Sequence, residues 1–205
     1  PDAAPLSAKS IKNIHGVLHK ALKQAVLIGY LRANPTEACI LPRIIRKEMH
    51  PLEEDQVSVF LREVQGYPHE YLYKIALFTG LREGEVLGLG WEHIDFQAGT
   101  LTVKRQLRRE QKKGGEYYFS PPKNNKSRCL TLAPSVIQLF RLQKLEQNSM
   151  RMEAGDAWEE HGLIFTNQTG GYLSYRTVYD CFKRIVRNIG APATRFHDLR
   201  HTFAV

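Results

Sequence analysis

The sequence has few cysteines and lacks any long apolar run. Its 205 residues include three cysteines, widely spaced and without a Cys-x-x-Cys pair, which argues against a disulfide framework and a structural zinc site. No stretch approaches the roughly 18 to 20 apolar residues of a membrane-spanning helix, and no charged-then-apolar leader opens the chain. We therefore expect a cytoplasmic protein without a membrane partner.

Acidic residues are outnumbered, and the imbalance is local. The chain has 29 Lys and Arg against 21 Asp and Glu, and its net charge of +8 favours a polyanionic partner. Residues 51–100 hold three basic and nine acidic residues, whereas residues 104–128 hold nine basic and two acidic ones. We expect the second segment to face the polyanion. A charged hairpin that only contacts solvent is the alternative.

Apolar spacing divides the chain into two parts. Residues 7–31 have the pattern of one amphipathic helix, which Ser7 or Ser10 could cap and Asn34-Pro35 ends. One helix cannot bury its own apolar stripe, so we expect residues 1–36 to be the last part of a helical domain that begins before Pro1. Residues 37–51, with two prolines and a basic cluster, are predicted to be a linker, and residues 52–205 a second domain.

The second domain is predicted to be mainly α-helical with one small antiparallel β-sheet. Gly114-Gly115 is expected to form a hairpin turn inside the basic segment. Periodicity and breakers predict helices over residues 57–64, 69–78, 83–89, 135–147, 175–188 and from 198 onward, and strands over residues 100–108, 116–119, 128–132 and 163–166.

Three separated motifs occur in this domain. The first is Thr79-Gly80-Leu81-Arg82 followed by Glu85, the second is Pro122-Lys123-Asn124-Asn125-Lys126-Ser127-Arg128 before a strand, and the third is His197-Asp198-Leu199-Arg200-His201-Thr202. Each motif alone would be weak evidence. Together, in this order and spacing, they resemble the tyrosine recombinase (phage integrase) family, and most closely the integrases of conjugative transposons.

The resemblance implies a clamp on double-stranded DNA, made of a helical core-binding domain and a catalytic domain. By this likeness Arg82, Lys123, His197 and Arg200 match catalytic positions, and Glu85 matches a supporting acid. The family's tyrosine nucleophile is expected beyond Val205. We therefore expect the present chain to bind DNA without cleaving it, and the complete form to be a bacterial, mobile-element recombinase that assembles as a tetramer on paired DNA sites.

These residue types suit phosphodiester chemistry. The five-coordinate phosphorus of the transition state carries negative charge on its non-bridging oxygens, which two guanidinium groups can bind bidentately without a metal. We expect Arg82 and Arg200 to do so, Lys123 to protonate the departing 5′ oxygen, and His197 to donate a hydrogen bond or assist proton transfer. Lys126 is the competing candidate for the lysine, and no metal or other cofactor is expected.

Further basic residues are predicted to contact DNA. They lie in the linker, in the basic hairpin and on the helix of residues 175–188: Arg43, Arg46, Lys47, Lys104, Arg105, Arg108, Arg109, Lys112, Lys113, Lys126, Arg128, Arg176, Lys183 and Arg184. Tyr172, Tyr175 and Tyr179 are assigned to packing or DNA contact, since they precede the third motif. The alternatives are a non-catalytic DNA-binding protein and a type IB topoisomerase-like enzyme. A metal-dependent nuclease ranks lower, because the sequence has no convincing two-metal cluster.

Overall fold

The structure is a computed structural model that describes residues 5–45, 48–112, 114–123 and 125–203. The chain divides into two compact units, Pro1–Glu48 and Met49–Val205. Of the helices in the described part of the chain, none combines the length and the apolar content needed to span a bilayer.

The first unit is built on one long helix, α1 (Ala8–Leu27), and a short 3-10 helix (Pro35–Ala38). Ser7 caps α1, because its hydroxyl accepts a hydrogen bond from the Ser10 backbone N–H at 3.1 Å. Asn34 joins the two helices by donating from Nδ2 to the His19 carbonyl at 3.1 Å. No residue of α1 is buried.

The second unit has six helices and five short strands within its described residues. The helices are α2 (Glu54–Glu63), α3 (Glu70–Thr79), α4 (Glu83–Leu87), α5 (Pro134–Ala154), α6 (Tyr175–Asn188) and α7 (Asp198–Phe203), with 3-10 turns at Trp91–His93 and Gly155–Ala157. The strands are β1 (Ile94–Asp95), β2 (Thr100–Val103), β3 (Gln106–Arg109), β4 (Tyr117–Ser120) and β5 (Arg128–Thr131). The predicted class, mainly helical with small antiparallel sheets, is confirmed.

The strands form two sheets where the sequence predicted one. Strands β1, β2 and β5 form an antiparallel sheet in that order, and β3 pairs with β4 in a separate hairpin. The strand predicted over residues 100–108 is therefore wrong, because it breaks at Lys104-Arg105. Alternation would put Arg105 on the same face as the buried Val103 and Leu107. Instead its Nε donates to the Gly88 carbonyl at 3.0 Å, and its Nη2 lies 3.0 Å from Glu92.

The strand predicted over residues 163–166 is also absent. Single bridges, Gly90 with Leu163 and Thr166 with Tyr172, replace a ladder. Side chains of α5 take the carbonyls that a neighbouring strand would use: Gln147 Nε2 donates to the Leu163 carbonyl at 2.8 Å. The segment of residues 163–166 is thus held to α5 by the side chains of Gln143 and Gln147.

An aromatic cluster at the centre of the second unit fixes the helices that precede and carry the third motif. Phe182 of α6 lies between Tyr73 of α3 and Phe196, with ring centroids 6.1 and 5.5 Å away. The Tyr73 hydroxyl donates to the Val178 carbonyl at 2.9 Å. Such pairs add about 0.5 to 1.5 kcal/mol beyond area burial. Helix α7 consequently packs against α3.

Candidate active site

The first motif positions its arginine through a glycine turn. Helix α3 ends at Gly80, whose φ of +59° lies in the left-handed region that favours glycine. A Cβ on Gly80 would lie 2.6 Å from Cδ1 of Phe203. The turn brings Arg82 to the position before α4, half-buried and at the edge of a cleft.

Glu85 is the buried acid that holds this arginine. Its side chain is 1% exposed, and its two oxygens accept hydrogen bonds from Arg82 Nη1 and the Arg82 backbone N–H, both at 2.9 Å. Arg128, at the start of β5, donates to the same carboxylate from Nη1 at 2.8 Å and Nη2 at 2.6 Å. Burial alone would raise the pKa of Glu85, but the hydrogen bonds from Arg128 and Arg82 outweigh it and bring that pKa to about 2.

The third motif is tied to the first by a backbone contact. Arg200 Nη1 donates to the Gly80 carbonyl at 2.6 Å, across 120 residues of sequence. The buried Asp198 accepts from Arg195 Nε at 2.9 Å and Nη2 at 2.7 Å, which fixes the start of α7. Loss of hydration, then the neighbouring Arg82 and Arg128, lower the pKa of Arg200. The Arg200 guanidinium thus lies close enough to those of Arg82 and Arg128 to be repelled by them.

The three motifs meet at one cationic cleft, called the pocket below. It has a volume of about 360 Å³, and the residues that line it are Arg82, Pro122, Lys123, Lys126, Ser127, Arg128 and Arg200. Both candidate lysines are exposed and line it, so geometry does not choose between them. With Glu85 as the buried counter-charge, the lining is strongly positive and suits a phosphate.

His197 lies at the edge of this charge cluster. Loss of hydration first, then His201 and Arg200, lower the pKa of His197, which leaves the imidazole neutral near pH 7. Its ring meets the His201 ring edge-on, with centroids 5.3 Å apart. A neutral imidazole can accept a proton.

The tyrosines assigned to packing or DNA contact lie elsewhere, and no tyrosine is among the described residues that line the pocket. Tyr175 donates its hydroxyl to the Leu107 carbonyl, and burial raises its pKa to about 12. Tyr172 stacks between Tyr117 and His161, with centroids 5.2 and 4.6 Å away. Tyr179 is exposed on α6. Among the described residues, no three His, Cys, Asp or Glu side chains are grouped to hold a metal ion.

The hairpin of β3 and β4 carries arginines over aromatic rings. The Arg105 guanidinium lies 4.1 Å from the centre of the Phe119 ring, and that of Arg109 lies 5.3 Å from the centre of the Tyr117 ring. Arg108 is exposed and, with Arg109, lines a shallow depression of about 350 Å³. Lys104 and Lys112 are exposed, and Lys112 pairs with Glu110 at 2.8 Å.

Helix α6 presents a second basic face, beside a cleft of about 560 Å³ that Arg176, Lys183 and Arg184 help to line. Arg176 pairs with Asp180 at 2.7 Å, and Lys183 donates to the Thr194 carbonyl at 3.1 Å. Arg184 is exposed, as is Arg43 in the first unit. Arg46, Lys47 and Lys113 lie outside the described residues.

Sequence reasoning missed two contacts in the pocket. Arg128 was predicted only as a DNA contact, whereas it is also the bidentate partner of Glu85. The Gly80 carbonyl, which holds Arg200, carries no side-chain signal at all. Arg128 carries no local signal for this contact either, because the burial of Glu85, which requires a compensating cation, is seen only in the structure.

Residues 48–205 match the sequence profile described as the Phage integrase family. The chain therefore belongs to the phage integrase, or tyrosine recombinase, family, and the resemblance found in the sequence is confirmed.

Among its relatives is a tyrosine recombinase XerC-like protein of Caldanaerobacter subterraneus, 28% identical over 97% of this chain and 55% of the relative. The ICEBs1 integrase of Bacillus subtilis is 26% identical over 96% of this chain and 53% of the relative. A solved Tn1549 transposon integrase in complex with transposon right end DNA superposes with a TM-score of 0.80 and is 25% identical, over 97% of this chain and 66% of that one. The chain spans about half the length of the curated relatives it matches.

Proposed function

We propose that the chain is part of a site-specific DNA recombinase, an integrase of a mobile element that acts through a 3′-phosphotyrosyl intermediate. The observation that carries this proposal is the pocket, where two guanidinium groups from distant motifs line one cleft with a lysine in a member of the phage integrase family. The relatives named for mobile elements, ICEBs1 and Tn1549, support that origin. The natural setting would be the bacterial cytoplasm, where the DNA is.

Four residues have a proposed step: three that line the pocket, and His197 beside it. Arg82 and Arg200 bind the non-bridging oxygens of the scissile phosphate and stabilise the charge that develops there, an effect worth a few kcal/mol for each donor, roughly. A tyrosine oxygen attacks phosphorus, and neutral His197 accepts its proton. The bond from phosphorus to the 5′ oxygen breaks, and Lys123 donates the proton to that oxygen. The phosphotyrosyl ester conserves the bond energy for religation, so the step needs no metal or nucleotide.

The 205 residues are proposed to bind DNA without cleaving it. Support comes from the described part of the pocket, which no tyrosine lines, and from Tyr73 and Tyr175, whose hydroxyls donate to backbone carbonyls elsewhere. The nucleophile would then come from residues outside this sequence.

The rest of the proposal concerns how the DNA is held. Residues 1–36 would belong to a helical core-binding domain, residues 52–205 to the catalytic domain, and residues 37–51 would link them along the DNA backbone. Double-stranded DNA would cover the hairpin and α6, and four subunits would meet on paired sites. The Tn1549 integrase, solved in complex with transposon right end DNA, supports this partner.

The test has two parts, binding and covalent trapping. Binding of a short duplex is measured in a salt titration for the chain and for Arg82→Met, Arg200→Met and Arg141→Met. Arg141 is the matched control, since it is exposed on α5 and does not line the pocket. We expect a steep loss of affinity with salt, and a slope reduced by about one for each pocket variant only.

For trapping, a 5′-bridging phosphorothioate duplex is incubated with the chain and with a form that carries a tyrosine-bearing segment fused after residue 205. An adduct from the longer form only, reduced by Arg82→Lys, is the expected result. An adduct from the 205 residues alone would contradict the non-cleaving part. Salt-sensitive binding that is unchanged in both Arg82→Met and Arg200→Met would favour a non-catalytic DNA-binding protein.

A further inference from the structure

Glu85 lies between two guanidinium groups that come from different elements. Arg82 precedes α4, Arg128 opens β5, and both reach a carboxylate that is 1% exposed. Oε1 accepts from Nη1 of each arginine, and Oε2 accepts from Arg128 Nη2 and from the Arg82 backbone. The orientation of one arginine therefore depends on the other through this acid.

The two arginines are engaged unequally. Arg128 gives both of its terminal nitrogens to Glu85, so its bidentate face is used inside the protein. Arg82 gives one terminal nitrogen, and within the described residues its other terminal nitrogen meets no acceptor. A guanidinium grips a phosphate best with two adjacent N–H groups. Among the described residues, Arg82 keeps such a pair, Nε–H and Nη2–H, on two nitrogens that Glu85 does not engage, whereas every adjacent pair on Arg128 includes a nitrogen already bonded to Glu85.

We propose that Arg128 is a positioning residue, which acts through Glu85 to hold Arg82 and does not itself bind the DNA phosphate. This inference rests on the proposed function, in which Arg82 is a ligand of the scissile phosphate. It changes the expected role of Arg128, which the sequence suggested as one DNA contact among many.

The protonation of Glu85 supplies a readout specific to this role. The charged groups that face it are Arg82 beside its own helix, Arg128 from β5 and Arg200 from α7. With Arg128 present, the pKa of Glu85 is about 2, so its charge is constant across neutral pH. Without Arg128, burial raises that pKa, because the carboxylate loses two of its four hydrogen bonds. As the pH falls, Glu85 then gains a proton and releases Arg82.

The experiment measures binding of a short fluorescent duplex to the 205-residue chain between about pH 8 and about pH 5, at several salt concentrations. The variants are Arg128→Met, Glu85→Gln and their combination. Arg128→Lys, which keeps the charge, replaces Arg128→Met if the methionine variant does not fold. Lys126→Met is the matched control, since Lys126 lines the same pocket and is not bonded to Glu85. Thermal unfolding of each variant is followed in parallel. The Arg82 side-chain N–H resonance, identified by its loss in Arg82→Lys, reports the position of that side chain.

We expect Arg128→Met to weaken binding by about tenfold at low pH and less at high pH, relative to the wild type at each pH. The salt slope should not change, the combination with Glu85→Gln should remove the pH effect, and the Arg82 resonance should shift. Lys126→Met should weaken binding equally at every pH and lower the slope by about one.

A pH-independent loss for Arg128→Met, additive with Glu85→Gln and with a lower salt slope, would overturn the inference in favour of a direct DNA contact. An unshifted Arg82 resonance in Arg128→Met would also overturn it. Failure of the proposed function looks different: Arg82→Met would leave DNA binding unchanged, while the resonance would still report whether Arg128 positions Arg82.

Discussion

The pocket and the outer basic surface, meaning the cations of the β3–β4 hairpin and of α6, use the same residue types in different ways. In the pocket, buried groups hold the arginines: Glu85 holds Arg82, and the Gly80 carbonyl holds Arg200. On the outer surface the ion-pair partners are exposed carboxylates, as in the Arg176–Asp180 pair, where the side chains are 85% and 55% exposed. Exposed pairs contribute about 0 to 1 kcal/mol and are screened by salt.

The cations of the pocket are preorganised, whereas those of the outer surface are free to adjust. Cations fixed before the ligand arrives can stabilise a transition state without reorganising. Cations in solvent attract a polyanion and adjust to its surface. Changes in the pocket should therefore alter folding and binding together, whereas changes on the outer surface should alter binding alone.

The largest effect is expected for Glu85→Gln. The variant leaves two guanidinium groups around an uncharged side chain, and loss of a buried ion-pair partner costs about 3 to 5 kcal/mol. Urea unfolding at neutral pH measures this. Glu153→Gln is the matched control, because Glu153 is exposed on α5 and should change stability by less than about 0.5 kcal/mol. Equal stabilities for the two variants would show that the Glu85 ion pairs contribute nothing to folding.

The next effect concerns the glycine turn. Gly80→Ala should cost about 2 to 3 kcal/mol and weaken DNA binding, because the left-handed backbone is strained for alanine and the new Cβ displaces Phe203. Gly190→Ala separates the two causes, since the φ of Gly190 is +75° and a Cβ there would meet no atom within 4 Å. We expect about 1 kcal/mol there and normal binding. A Gly190 variant as damaging as the Gly80 variant would leave no role for the Phe203 contact.

A smaller effect comes from Glu83, next to Arg82. Burial raises its pKa to about 7, and its Oε1 is buried without a hydrogen-bond partner in the described structure. A carboxyl group whose pKa is raised in the folded state stabilises the fold fully below the unfolded pKa of 4.5. This stabilisation is lost as the pH rises through 7. As the pH rises from about 5 to about 8, the free energy of unfolding of Glu83→Gln should therefore increase by about 1 to 2 kcal/mol relative to that of the wild type, measured by urea unfolding. A pH-independent difference would contradict this.

The smallest effect on stability is expected on the outer surface. Arg108→Met should leave the free energy of unfolding within about 0.5 kcal/mol of the wild type, because its side chain is exposed. Its DNA affinity should fall, with a salt slope lower by about one. Arg141→Met should change neither quantity. If Arg108→Met destabilises as much as a pocket variant, the contrast between the two regions fails.

The sequence predicted most of the helices because their periodicity is long and their breakers are clear. Residues 175–188 form α6 as predicted, and Ser7 caps α1. Helix α5 runs on to Ala154, well past the predicted end, since no proline or glycine interrupts it before Gly155. Short strands were harder, because their ends depend on partners: Arg105 leaves the strand for a carbonyl and an acid that lie elsewhere in the chain.

The sequence predicted individual residues of the candidate site, but not the contacts that hold them in place. Motifs identify Arg82, Lys123 and Arg200, and the structure brings all three to one cleft. Which groups hold them depends on the packing of α7 against α3 and on the ion pair between Arg128 of β5 and Glu85 of α4, and local patterns carry no information on such contacts. His197 lies beside the cleft, and the catalytic roles of all four residues stay predictions.

The break at Lys104-Arg105 bears on how this architecture can vary. Arg105 fixes the base of the hairpin to the Gly88 carbonyl and to Glu92, and Tyr172 stacks against its returning strand. Neither anchor involves a residue that lines the pocket. The tip of the hairpin lies beyond both anchors, so we expect a change in its length or sequence to leave the geometry of the pocket unchanged. Under the proposed function, the DNA contacts of the hairpin would then be free to change while the residues of the pocket stay the same.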